Sequence, residues 1–203
     1  MSDRTSIADR KPIANVALFI KRTAIEFLQA IFSVRATGSY RFDADDTKTE
    51  IFIGDQHTTN LNAVEINPSI IAVRGPISYL PTGLGGGSVE SVSMPTGNIT
   101  FNDLLTGSIA FSCLSREGPE AEDLAYLVMK SFKFFRPELM KYGFFTIKGM
   151  NMGAESLVEQ EGTDDKLYLV PVYVTVQVQD RATLSDEAAK NLRKVVVSVL
   201  STP

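Results

Sequence analysis

Few side chains in this chain could act as nucleophile or general base at neutral pH. There is one histidine, His57, in the polar run GDQHTTN, and one cysteine, Cys113, in GSIAFSCLS. A thiolate–imidazole pair would have to come from these two alone. The alternation around Cys113 sets it with Ile109 and Phe111 on one face of a strand, so it reads as a small buried apolar side chain. One His and one Cys also leave no zinc site of the usual ligand type within one chain. Carboxylates occur in pairs, Glu120 with Glu122 and Glu159 with Glu161. The first pair opens a helix and the second lies in an acidic loop, positions that explain them without catalysis. Asp43, Asp45 and Asp46 suggest a calcium loop, but Lys48 stands where that loop needs glycine and no Glu closes it, which leaves a solvated turn. Neither G-x-S-x-G nor H-E-x-x-H occurs. The expectation is a protein that is not an enzyme and uses no cofactor or metal.

The segment Pro81–Asn98, PTGLGGGSVESVSMPTGN, is the most unusual by composition. It carries Gly85, Gly86 and Gly87 in a row, yet no Lys-Ser or Lys-Thr follows, so it is not a phosphate-cradling loop. It also lacks the strand, helix and acid of a dinucleotide site. Loops of this length inside a compact domain are either functional or disordered. Two readings stand: a floppy hairpin tip, or an arm that orders against another subunit through Leu84, Gly85, Gly86 and Gly87.

The elements that would carry these residues can be read in order. Residues 1–11 are polar and form an N-terminal arm. From Ile13 to Phe32, Ile13, Val16, Ala17, Ile20, Ala24, Phe27, Leu28 and Ile31 recur at helical spacing, giving an amphipathic helix. Leu18, Phe19 and Ile25 widen its apolar face, which leaves two readings: packing on the sheet alone, or an extra flank that meets a neighbouring subunit. SYRFDADDTKTEIFIGD reads as two short strands about a polar connection, and SIIAVRGPISYL as a strand pair with Arg74-Gly75-Pro76 as turn or bulge. GSIAFSCLS is a strand. A helix over residues 119–135 follows, with Pro119 and acidic residues in its first turn, where they face the positive end of the helix dipole. Arg136-Pro137 interrupts it, and a short helix then closes at Gly143. FFTIKG is another strand.

KLYLVPVYVTVQVQD is the strongest strand, with Tyr168, Val170, Val172, Val174, Val176 and Val178 on one face. Its other face carries Tyr173, Thr175, Gln177 and Gln179 and is wet or meets a partner, which makes Tyr173, Thr175 and Gln177 candidate contact residues. Pro171 cannot donate to a ladder and hints at an edge or a bulge. Residues 181–203 form a C-terminal arm or helix, with Ser185 as its N-cap. Together these elements describe one α+β domain over residues 1–203: a mainly antiparallel sheet, helices packed on one face, a long hairpin loop at 81–98 and terminal arms.

Composition narrows the function. Lys+Arg 20 against Asp+Glu 24 gives a net charge of −4, so no basic excess drives binding to a phosphate backbone. The opening residues mix both charge signs and do not follow the order of a secretory signal. No apolar run approaches the ~20 residues of a membrane span. The lone cysteine suits a reducing cytoplasm.

The phrases TGSIAFSCLSREGPEAEDLA, FRPELMKYGFFTIKGMNMG and YLVPVYVTVQVQD, with the order helix, strands with a long hairpin loop, helix, two strands, resemble tailed-bacteriophage proteins of the head-to-tail junction. These are the tail terminators, also called tail completion or neck proteins. The resemblance covers roughly residues 12–180. It implies a virion protein, assembled in the host cytoplasm, whose subunits close into a ring, commonly a hexamer, at the head-proximal end of the tail. Its partners would be itself, the tail tube protein and the head connector, with DNA only passing through the lumen. A head completion or connector protein that binds the portal is the neighbouring alternative, and a cytoplasmic enzyme or ligand-binding domain with an unfamiliar site is the alternative from another class. The resemblance brings no catalytic residue.

Overall fold

The computed structural model describes residues 15–34, 40–45, 47–56, 68–80, 89–92, 98–159 and 166–185. The elements are α1 (Val16–Phe32), β1 (Phe52–Asp55), β2 (Ser69–Leu80), β3 (Val89–Val92), β4 (Ile99–Ser115), α2 (Gly118–Phe134), α3 (Arg136–Lys141), β5 (Phe144–Met152), β6 (Ser156–Glu159) and β7 (Lys166–Leu184). This is an α+β fold with a mixed sheet. The pairs β3–β4, β5–β7 and β6–β7 are antiparallel and β1–β2 is parallel. By its internal contacts the chain forms two compact units. One is Asn15–Ser78 with Thr106–Val178; the other is Met1–Ala14, Tyr79–Leu105 and Gln179–Pro203.

In the first unit the strands lie in the order β1-β2-β4-β7-β5, and β6 pairs with the first four residues of β7. The helices pack on one face of this sheet, and β4 shows why. Its odd-numbered residues Gly107, Ile109, Phe111 and Cys113 share a side. A Cβ placed on Gly107 would lie 2.8 Å from Ile20 Cδ1 of α1, and the Phe111 ring lies 5.2 Å from Phe132 of α2. From β7 the same core receives Val170, Val172, Val174, Val176 and Val178, all at most 1% exposed. The apolar stripes of the two helices supply the rest: Ile20, Ala24 and Leu28 from α1, and Ala121, Leu124, Ala125, Val128 and Phe132 from α2. On the opposite face Leu114 and Leu167 make a smaller cluster with Ile71 and Leu169.

Local signals set the ends of the helices. Asn15 caps α1, its side-chain oxygen accepting from the Leu18 N–H at 3.0 Å, and so the helix starts three residues after Ile13. Lys21 forms an ion pair with Asp55, and Gln29 Nε2 donates to the Ile53 carbonyl at 2.8 Å, which docks α1 on β1. Pro119 lies in the first turn of α2. Pro137 opens α3, and Gly143 with φ +119° follows its last turn, a conformation open to glycine and strained for other residues.

Several expectations need correction. SIIAVRGPISYL is one twelve-residue strand and not a strand pair. A Cβ on Gly75 would meet Ser108 on the helix-free face, whereas Ile77 lies beside Gly107 on the helix face. The alternation therefore breaks between them, and Gly75-Pro76 makes a bulge instead of a turn. Of the two short strands foreseen before it, Phe52–Asp55 is the one that forms among the described residues. Residues 40–43 are tied back through the Glu50 N–H to the Arg41 carbonyl at 2.8 Å.

Pro171 sits inside β7, an interior strand and not an edge, between the residues that pair with β6 and those that pair with β5. β7 also continues to Leu184, four residues into the expected C-terminal arm, and Val89–Val92 within the expected loop is a strand on β4. Residues 1–14, 81–88, 93–97 and 186–203, which include the N-terminal arm and most of the C-terminal one, lie outside the described residues.

Candidate interaction surfaces

The sequence placed candidate contacts on β7 and on the Gly-rich segment. On β7 the alternation divides them. Tyr173 is 47% exposed and Thr175 is half-buried, on the face away from the helices. Gln177 is 3% exposed and its Nε2 donates to Thr106 Oγ1 at 3.3 Å. It is a satisfied interior amide, and the wet face foreseen there ends at Thr175 within the first unit. Leu84, Gly85, Gly86 and Gly87 lie outside the described residues, as do His57 and Asp46.

The chemistry-bearing residues that are described have structural roles. Cys113 is fully buried, and burial pushes its thiol up to about 12, so the thiolate that a nucleophile needs is suppressed. The Ser115 hydroxyl donates to the Glu120 carboxylate and accepts the Glu117 N–H at 3.2 Å. Burial raises the pKa of Glu120. These bonds tie the end of β4 to the first turn of α2, while Glu122 is exposed, so the two carboxylates do not converge. Asp45 accepts from the Thr47 N–H at 3.1 Å and its hydroxyl at 2.6 Å, and pairs with Lys48 at 2.8 Å. Lys48 and Thr47 hold its carboxyl below the usual range. These acids organise a turn.

What the sequence reading missed is a surface at one end of the helical layer. A groove of about 520 Å³ runs between the last half of α1 and α3, lined by Phe27, Ala30, Val34, Phe135 and Tyr142. Phe27 anchors it, with ring centroids 5.1 Å from Phe132 in the core and 6.2 Å from Phe135. Glu26 and Glu138 also line it. On α2, Tyr126 and Phe134 face solvent at 52% and 63% exposure. The Lys130 ammonium lies between them, 5.9 Å from one ring and 5.8 Å from the other. Residues 126, 130 and 134 repeat at i, i+4, i+8, so this is one stripe along the solvent side of α2. Two aromatics on the polar side of an otherwise regular amphipathic helix were the signal available in the sequence.

No protein-family model matches this chain, and a search of curated proteins finds no matching sequence.

Proposed function

We propose that this chain is a structural subunit of a ring at the head-proximal end of a bacteriophage tail, where it ends the tail tube and docks to the head connector. The observation that carries the reading is the series of exposed aromatic and aliphatic side chains between Tyr126 and Tyr142, namely Tyr126, Phe134, Phe135, Met140 and Tyr142. Clustered exposed apolar side chains of this kind mark surfaces that meet other proteins. The resemblance of the central phrases to tail terminators supplies the kind of assembly. The net charge of −4 suits a conduit that DNA crosses without being gripped.

In this reading the subunit performs no covalent chemistry. Its work is to present matched surfaces to its copies, to the tube and to the connector, and it is a virion component assembled in the host cytoplasm. Negative-stain electron microscopy of the purified protein tests it: closed rings with a central hole that bind the ends of isolated tail tubes are the expected result. A ring mass other than six subunits would move the protein to the connector side of the junction. A lone subunit at the highest soluble concentration, with no affinity for tubes, would overturn the proposal.

A further inference from the structure

We infer that the Tyr126–Lys130–Phe134 stripe of one copy seats in the α1–α3 groove of a second copy. The inference names the surface through which neighbours meet; it rests on the ring reading for closure but not for the contact itself.

Shape and charge both favour this occupant. The groove is lined largely by apolar side chains, and the small Ala30 is among them. The stripe offers two large aromatic side chains, already exposed, with nothing to fold away before docking. The ionised groups lining the groove, Glu26 and Glu138, are both acidic. Around Phe134 the stripe carries Lys130 and Lys133, both basic, whereas Glu122 and Asp123 lie exposed before Tyr126, so it is the Phe134 half that matches the groove in charge. Glu26 is held by Arg22 and Glu138 by Lys141, each at 2.7 Å, but all four groups are at least half exposed. Exposed pairs of that kind contribute little, so either carboxylate can turn to an incoming ammonium. Aromatic faces beside two carboxylates also suit a lysine, because the ring quadrupole and the negative charge attract the same cation.

Stripe and groove are different sets of residues. A copy whose stripe is engaged still offers its own groove, which is the head-to-tail arrangement that generates rings when the rotation closes. A whole aromatic side chain buries about 150–250 Å², and since these two are 52% and 63% exposed, docking buries on the order of 200–300 Å² together. That is below the roughly 800 Å² per partner of a stable pair. A single contact is therefore weak, and assembly depends on several contacts closing together.

Disulfide trapping on the full chain tests the contact directly, because the native Cys113 is buried and does not compete. An Ala30→Cys chain and a differently tagged Lys133→Cys chain, which keeps both aromatic anchors, are mixed with diamide as oxidant. The expected product is the mixed disulfide, well above either self-linked product, and Lys130→Glu in the Lys133→Cys chain suppresses it. In parallel, Ala30→Trp fills the groove at an exposed helix position, and Tyr126→Ala/Phe134→Ala removes the anchors. Both variants should keep the wild-type circular dichroism and lose the concentration-dependent mass seen by light scattering. Self-linked products in equal yield, or variants that associate as the wild type does, overturn the inference. Rings that persist in both variants would sink the contact and leave the ring reading standing. A mixed disulfide without any rings would do the reverse.

Discussion

Replacing Phe132 with alanine tests whether the helical layer and its groove share one support. Phe132 is fully buried, 5.2 Å from Phe111 on β4 and 5.1 Å from Phe27 on α1. Truncating a buried Phe to Ala costs about 3–5 kcal/mol, from lost transfer energy and the cavity left behind. Phe132→Leu keeps most of the volume and loses the two ring contacts, each worth about 0.5–1.5 kcal/mol beyond burial. The expected cost of the leucine variant is therefore on the order of 1–3 kcal/mol. Against a typical total of about 5–15 kcal/mol, the alanine variant removes a fifth or more of the stability. Urea unfolding followed by tyrosine fluorescence reads this as a lower midpoint at unchanged slope. A double-mutant cycle with Phe27→Leu should return a coupling of roughly 0.5–1.5 kcal/mol. An alanine variant within 1 kcal/mol of wild type, uncoupled to Phe27, would refute the claim that the groove wall is anchored in the core.

Gly143→Ala should lose about 1–3 kcal/mol, because φ is +119° there and the added Cβ would lie 2.7 Å from Phe19 Cζ; thermal melting reads the loss. Ser69→Ala should be neutral or stabilising by about 1 kcal/mol, since the Ser69 hydroxyl is buried without a hydrogen-bond partner; a clear loss would reveal a bond the fold depends on. Burial raises the Cys113 pKa from 9.0 to about 12, so its contribution to stability is complete below pH 9 and falls as pH rises towards 12. The loss is about 1.4 kcal/mol per pH unit in that window, and Cys113→Ala should flatten this part of a urea-midpoint profile.

α2 was legible because its stripe, its proline and its acidic first turn are independent signals that agree. α1 showed only a stripe of the right period, so its start was read at Ile13 and the Asn15 cap was missed. The valine face of β7 was legible for a related reason: strict alternation over six positions has one structural reading. Other features needed the third dimension. Arg74-Gly75-Pro76 looks like a turn, yet neighbouring strands on β2 hold the chain extended, and the disruption shrinks to a bulge. Gln177 follows Thr175 in a polar series, and only the placement of Thr106 on the adjacent strand makes it interior. The groove was hidden because Phe27 counts as one more member of a core stripe. Nothing local says that its ring also walls a surface on the side of Phe135.

That double duty separates two kinds of surface residue. Ala30 lines the groove and is exposed, whereas Phe27 lines the same groove and packs its ring, tilted, against Phe132. Ala30→Trp should therefore abolish association with the melting temperature within a degree or two of wild type, since exposed helix positions away from packing tolerate change to within about 0.5 kcal/mol. Phe27→Ala should lose association and about 2–4 kcal/mol of stability together, because the cavity it opens reaches the core. Paired measurements of mass and melting on the two variants distinguish a groove built on the core from one merely resting on the surface. If Phe27→Ala melts with the wild type, the wall is superficial and the contact has no rigid base. If Ala30→Trp unfolds the chain instead, the groove is part of the core and cannot receive a neighbour.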